Sequence, residues 1–95
     1  MRAAKIDANQ EAVVTALRAA GATVQSLAGV GKGVPDLLVG YQGQTLLMEV
    51  KDGFKPPSKR ALNKDQLRWH GSWNGGALAV VDSPDGALRI LRVIK

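Results

Sequence analysis

The chain has 95 residues, enough for one small domain with a modest core, and we expect 1–95 to form that single domain. It has no cysteine, which excludes disulfides, thiolate metal sites and cysteine nucleophiles. Thirteen lysine and arginine residues against eight aspartate and glutamate residues give a net charge of +5, which favours a polyanionic partner. No segment approaches the ~20 apolar residues of a membrane span, and no apolar stretch follows the basic N-terminus. We therefore expect a cytoplasmic protein with no membrane partner.

The first predicted element is a helix from Asp7 to about Ala20. Asp7 and Gln10 have the spacing of a capping box, in which each side chain satisfies a free backbone amide. Gly21 provides the left-handed residue at which such a helix ends. The inward residues of the helix form one stripe (Gln10, Val13, Val14, Leu17 and Ala20). Glu11 lies at the edge of that stripe.

A short strand is predicted over 23–27, and a glycine-rich loop follows it. The loop contains Lys32 among three glycines (Gly29, Gly31 and Gly33). It lacks both the Walker A pattern and the dinucleotide fingerprint, so we expect no nucleotide cofactor. A flexible turn and a loop that contacts DNA through Lys32 both remain open for this segment.

The next stretch predicts a β-hairpin with charged residues at its open end. Asp36 precedes an apolar run, Gln42-Gly43 forms the turn, and the second run ends in Glu49-Val50-Lys51. Because side chains alternate along a strand, Glu49 and Lys51 point to one face, and Asp36 starts the adjoining strand at the same end. Two carboxylates and one ammonium can therefore converge, and carboxylate oxygens suit Mg²⁺.

A purely structural alternative makes Asp36 a turn cap and Glu49 with Lys51 a solvated pair on an edge strand. The apolar neighbours of Glu49 favour a central strand instead. Placing an acid and a base on a central strand costs stability unless they serve a purpose, so we favour a functional site.

The segment 52–59 contains two consecutive prolines and is predicted to be neither helix nor central strand, but a mobile basic loop. A helix then begins after Asn63, with Gln66 completing a capping box. Gln66 shares a face with Trp69, His70 and Trp73, so it is placed either to cap the helix or to hold Lys51. We expect both tryptophans in the core rather than on a base-stacking surface.

The remaining elements are a buried strand over 77–81, a turn over 83–86 and a last strand over 87–94. The order is helix, three strands, helix, two strands. The segment 51–68 contains six basic residues and two acidic ones, so the positive charge is concentrated next to the predicted site.

These residues resemble a known family. The pattern Gly31-x-Gly33-x-Pro35-Asp36, then Glu49-Val50-Lys51, then Leu62-Asn63-x-x-Gln66 resembles the VRR-NUC (virus-type replication-repair nuclease) domain of the PD-(D/E)XK nuclease superfamily. The resemblance covers almost the whole chain, with Asn63 where Thr or Ser is more usual. It implies an α/β fold with a restriction-endonuclease-like core, in which helices flank a central mixed sheet of about five strands.

The resemblance also implies an activity, a Mg²⁺-dependent DNA endonuclease in which Mn²⁺ substitutes. Asp36, Glu49 and the carbonyl of Val50 would hold the metal, and Lys51 with Gln66 would complete the catalytic set. Glu11 is either a further ligand, as an acidic residue on the first helix is in such nucleases, or an exposed glutamate favoured by the helix dipole. DNA phosphates would bind five basic residues (Lys32, Lys55, Lys59, Arg60 and Lys64).

Minimal phage-type members of this family are associated with junction resolution, which implies a homodimer acting on branched DNA such as four-way (Holliday) junctions, in a bacterial or phage-infected cell. The apolar residues of the last segment are candidates for the dimer surface (Leu88, Ile90, Leu91, Val93 and Ile94). A non-catalytic nucleic-acid-binding module on the same fold, a generic nicking nuclease and an RNA-directed nuclease are the alternatives.

Overall fold

A computed structural model describes residues 8–94. The helices are α1 (Ala8–Ala19), α2 (Pro57–Arg60), α3 (Lys64–Ser72) and α4 (Pro84–Val93). The strands are β1 (Thr23–Ser26), β2 (Leu37–Tyr41), β3 (Gln44–Val50) and β4 (Ala77–Val81). None of the helices in the described range has the length and apolar sequence that a membrane crossing requires.

The four strands form one mixed sheet in the order β1-β2-β3-β4. β1 with β2 and β2 with β3 are antiparallel, whereas β3 and β4 are parallel, with α2 and α3 in the connection between them. β3 therefore lies inside the sheet, between β2 and β4. All its residues from Leu46 to Val50 are buried, which excludes the edge-strand alternative for Glu49.

The core lies on the face of the sheet that α1 and α4 cover. Val13 and Leu17 of α1 are fully buried, as the predicted stripe requires, and pack with inward residues of β2 and β3 (Leu37, Val39, Leu46, Met48 and Val50). Side chains alternate along β3, so Leu47 and Glu49 point to the opposite face. Gly21 has a φ of +98° and ends the helix as predicted, while the predicted cap Asp7 lies outside the described residues.

The predicted last strand is wrong, because residues 84–93 form the helix α4. The Ser83 hydroxyl accepts a hydrogen bond from Gly86 N at 3.0 Å, and Pro84 occupies the first turn. The segment predicted as a turn is thus an N-cap followed by a proline at a position that helices tolerate. Ala87 and Leu91, four residues apart, face the core. The sheet consequently has four strands rather than five.

This change also removes the proposed dimer surface. Leu91 is buried, and three of the other four residues are half-buried against the core (Leu88, Ile90 and Ile94). Val93 alone of the five is largely exposed, at 65%. The apolar residues of this segment are many because one face of α4 covers the sheet, and they leave no broad apolar strand face for a partner.

The segment 52–59 was also predicted wrongly, since it includes the start of the short helix α2. Pro56 precedes the helix and Pro57 is its first residue, which is where the fixed φ of proline is compatible with a helix. No residue of α2 is buried. The preceding turn keeps its backbone on the surface, with Phe54 97% exposed.

The two tryptophans are not in the core, contrary to the prediction. Trp69 is half-buried and Trp73 is 40% exposed, and their rings stack on each other at 5.1 Å. α3 has no buried residue, because it meets the sheet through the polar side chains of Gln66 and His70 rather than through an apolar stripe.

Candidate active site

Asp36 and Glu49 meet at the open end of the β2–β3 hairpin, as the sequence predicted. Asp36 precedes β2, and its Oδ2 accepts a hydrogen bond from Val50 N at 2.8 Å. Its own carbonyl accepts from Leu27 N at 2.7 Å, which fixes the residue to the end of β1. The N–H and C=O of a strand residue point to the same side, so the Val50 carbonyl also faces the β2 side of the strand.

Glu49 is a buried acid. It is 2% exposed, and burial raises its pKa from 4.5 to about 8, with further upward contributions from a hydrogen bond to Asp36 and from the Asp36 charge. The charge of Lys51 acts in the opposite direction. The Glu49 carboxyl is therefore mostly protonated at neutral pH when no cation is present.

Gln66 connects Glu49 to Lys51. Its Nε2 donates to Glu49 Oε2 at 3.1 Å, and its Oε1 accepts from Lys51 Nζ at 2.7 Å. The same Oε1 accepts from Asn63 N at 3.0 Å, while Asn63 Oδ1 accepts from Gln66 N at 2.9 Å. Both roles foreseen for Gln66 are thus filled by one side chain, and the capping box of α3 fixes the amide that holds Lys51.

His70 lies on the face of α3 that carries Gln66, as predicted, but its contact with Glu49 in this cluster was not predicted. Its Nε2 lies 3.7 Å from Glu49 Oε1, too far for a hydrogen bond, and both atoms are buried without a hydrogen-bond partner. Burial and the charge of Lys51 lower the pKa of His70, which favours the neutral ring. The available signal was its spacing, because His70 follows Gln66 by four residues on the same face of α3.

Asn9 was also missed as a residue that supports the site. Its Nδ2 donates to the carbonyl of Lys51 at 2.6 Å and to that of Asp82 at 3.3 Å. Lys51 N donates in turn to the carbonyl of Val81 at 2.8 Å. The start of α1 thereby joins the ends of β3 and β4 and holds the backbone of Lys51 in place.

The donor set at this position fits a hard divalent cation. Asp36 and Glu49 offer carboxylate oxygens and Val50 a carbonyl, and Glu49 Oε1 is a buried acceptor with no hydrogen bond. Within residues 8–94 no group of three or more His, Cys, Asp or Glu side chains is arranged to hold a metal. A site with two carboxylates leaves the other positions to water and substrate oxygens, which is the usual coordination of Mg²⁺.

Glu11 lies on the exposed side of α1, where it lines a surface pocket of about 350 Å³ with Arg18 and Ser26. The buried polar residue of this helix is Gln10, at 7% exposure. A metal-binding role for Glu11 therefore stays a prediction.

The predicted DNA-binding residues lie on segments that border the site. The four lysines among them are exposed (Lys32, Lys55, Lys59 and Lys64). Arg60 differs, because it is half-buried and its Nη1 pairs with Asp82 Oδ2 at 3.2 Å. Phosphate contacts by these residues stay predictions, and a contact by Arg60 would compete with an existing ion pair.

Comparison with known proteins identifies a solved structure with a similar fold. No protein-family model matches the sequence, and no curated protein matches it. A solved structure described as a VRR_NUC domain does match, with a TM-score of 0.66 and 28% sequence identity over 90% of this chain and 92% of the other. The resemblance inferred from the sequence is confirmed, and this chain is a nuclease-type domain with the VRR-NUC fold.

Proposed function

We propose that this protein is a Mg²⁺-dependent endonuclease that hydrolyses DNA phosphodiester bonds, with Mn²⁺ able to substitute. The observation that carries the proposal is the pairing of Asp36 with the buried Glu49, which Gln66 joins to the ammonium of Lys51. Asp36, Glu49 and the Val50 carbonyl would hold the metal ion.

The cost of this arrangement supports a functional role. A carboxylate that is 2% exposed on a central strand loses its hydration, and apolar residues of similar size would stabilise the same position. A bound cation would compensate the two charges and satisfy Glu49 Oε1. A purely structural role leaves this cost without an explanation.

The chemistry follows from the positions of the side chains. When bound, Mg²⁺ lowers the pKa of water and offsets charge on a phosphate oxygen. Lys51 lies on the same face as Glu49, and Gln66 fixes its ammonium. Its positive charge would stabilise the negative charge that develops on a phosphate bound at the metal. Lys51 can also orient the attacking water.

Gln66 and His70 act on the other groups rather than on the phosphate. Gln66 positions Lys51 and one oxygen of Glu49, and the cap at Asn63 holds the amide in that orientation. The His70 ring, which its lowered pKa keeps neutral, lies against Glu49 Oε1 and limits the access of water to the carboxyl.

We further propose that the substrate is branched DNA, cut by a homodimer. The exposed lysines on the segments around the site provide a surface for phosphates. One chain contributes one Asp36–Glu49 pair, and the paired incisions of a four-way junction need two, which a two-fold dimer supplies.

A cleavage assay on matched substrates tests the proposal. Four-way junctions, linear duplex and RNA of the same sequence are incubated with Mg²⁺, Mn²⁺ or EDTA, and light scattering gives the oligomeric state with and without DNA. We expect metal-dependent cutting of the junction in preference to the duplex, and weaker Mg²⁺ binding by Asp36→Asn in calorimetry. Binding that is equally tight in EDTA, with no cleavage in either metal, would support the non-catalytic module instead.

A further inference from the structure

The stacked tryptophans form an aromatic surface at the outer side of α3. Trp69 and Trp73 lie with their planes 15° apart and centroids 5.1 Å apart, and neither belongs to the core. Exposed indoles cost solvation free energy that burial would recover. We call this pair the tryptophan platform.

The platform is held rigidly from behind. Trp73 Nε1 donates to the carbonyl of Gly76 at 2.8 Å. Gly75 lies directly against the Trp73 ring, so closely that a Cβ at this position would collide with it. Trp73 is therefore fixed by the turn after α3, and it supports Trp69.

Trp69 borders a cavity of about 390 Å³ whose other side chains are polar or charged. Lys32 and Arg68 provide two cations against the single carboxylate of Asp65, and Ser72 completes the lining. Lys32 has a φ of +56°, in the left-handed region that disfavours a residue with a Cβ. Its neighbour Gly33 packs so tightly on the backbone of Asp65 that only glycine fits, which fixes the loop beside α3.

We propose that Trp69 is a stacking site for one unpaired base, with Lys32 and Arg68 binding the phosphates on either side of it. An aromatic face flanked by cations is the combination that binds single-stranded nucleic acid, because bases stack while phosphates pair with the cations. The proposal rests on the proposed function in one respect, namely that the platform serves the nuclease site.

The position on α3 explains what the platform would contribute. Trp69 lies three residues beyond Gln66, about 4.5 Å along the helix axis. Gln66 itself contacts Glu49 and Lys51. A base held on Trp69 would place an unpaired nucleotide next to the scissile phosphate, which selects DNA with a junction, flap or gap over uninterrupted duplex.

Intrinsic fluorescence provides a direct test, because the chain has only two tryptophans and both form the platform. Wild-type protein is titrated in EDTA with oligothymidylate and with a blunt hairpin duplex of equal charge. We expect saturable quenching by the single strand and little by the duplex. Labelled-oligonucleotide anisotropy should show about tenfold weaker binding for Trp69→Ala, and a smaller loss for Trp69→Phe, which keeps an aromatic ring.

Two controls separate the base contact from a structural effect. Phe54→Ala removes a highly exposed aromatic residue that lies outside the platform and should leave binding unchanged. Lys32→Gly should keep or raise the melting temperature, because glycine adopts the left-handed φ without strain, yet it should weaken binding and reduce its salt dependence.

Equal quenching by duplex and single strand, or full affinity in folded Trp69→Phe and Trp69→Ala proteins, would overturn the proposal. The titration contains no metal and involves no cleavage. It therefore fails or succeeds independently of the nuclease assay, and the two proposals can be told apart.

Discussion

Replacing Glu49 with glutamine should stabilise the metal-free protein at alkaline pH. The pKa of Glu49 is about 8 in the folded chain against 4.5 ordinarily, mainly because of burial. Between these values the folded protein binds more protons than the unfolded chain, so the free energy of unfolding decreases as the pH rises. The stabilising contribution of the protonated carboxyl is complete below about pH 4.5 and is lost as the pH passes 8.

The size of the effect follows from that difference. Each pH unit between the two values corresponds to about 1.36 kcal/mol, which gives a loss on the order of 5 kcal/mol between pH 4.5 and pH 9. This approaches the whole stability of a small domain. Glu49→Gln keeps the shape and the hydrogen bond acceptor toward Gln66 but cannot ionise, so it should lack this dependence.

Urea unfolding monitored by circular dichroism at pH 5 to 9 in EDTA measures the free energy of unfolding of the wild type and of Glu49→Gln. The wild type should lose stability with pH while Glu49→Gln does not. Mg²⁺ should restore stability at pH 8 to 9 in the wild type alone, since the bound ion would compensate the charge of the ionised Glu49 carboxylate. Glu11→Gln removes an exposed carboxylate and is the matched control for net charge. Parallel pH profiles for the wild type and Glu49→Gln would refute the reasoning.

Two further predictions concern the loop and the basic surface. Gly33→Ala should destabilise the protein by about 2 kcal/mol or more in the same unfolding assay, because its Cβ would meet the Asp65 backbone at a φ of +85°. Gly31→Ala should cost only the ~1 kcal/mol of the left-handed conformation, since its Cβ meets open space. Equal losses of stability in the two variants would contradict this prediction. Replacing Lys55, Lys59 and Lys64 with alanine should reduce the slope of log affinity against log salt concentration for duplex DNA by about 0.9 per lost phosphate contact. An unchanged slope would show that these lysines are solvated and do not contact phosphates.

The hairpin and its charged end could be predicted because the signals for them are local. Gln42-Gly43 marks the turn, and the observed φ values of +49° and +79° show why glycine and a polar residue stand there. Alternation along β3 places Glu49 and Lys51 on one face, and pairing of Leu37 with Met48 brings Asp36 to the same end.

The errors arose where one pattern fits two structures. Residues 87–94 are so rich in apolar side chains that they satisfy both the two-residue period of a strand and the 3.6-residue period of a helix. Ser83 before Pro84 fits a turn as well as an N-cap, and only the packing of Ala87 and Leu91 on the sheet decides between them.

Other features depend on contacts between distant parts of the chain. His70 and Asn9 belong to the site through neighbours 21 and 42 residues away, Glu49 and Lys51. The tryptophans were expected inside because burial is the usual state of an indole. They lie outside because Gln66 and His70, and not the aromatic rings, take the side of α3 that meets β3.

Single-turnover cleavage of a labelled four-way junction by wild type, Lys51→Ala and Arg92→Ala tests the central claim most directly. Lys51→Ala should lose on the order of a hundredfold or more in rate with DNA binding nearly unchanged, because it removes the fixed charge held by Gln66. Arg92→Ala removes an exposed cation on α4 and should retain most of the wild-type rate. Cleavage by purified Lys51→Ala at the rate of the wild type, or cleavage by the wild type in EDTA, would contradict the assignment of the active site.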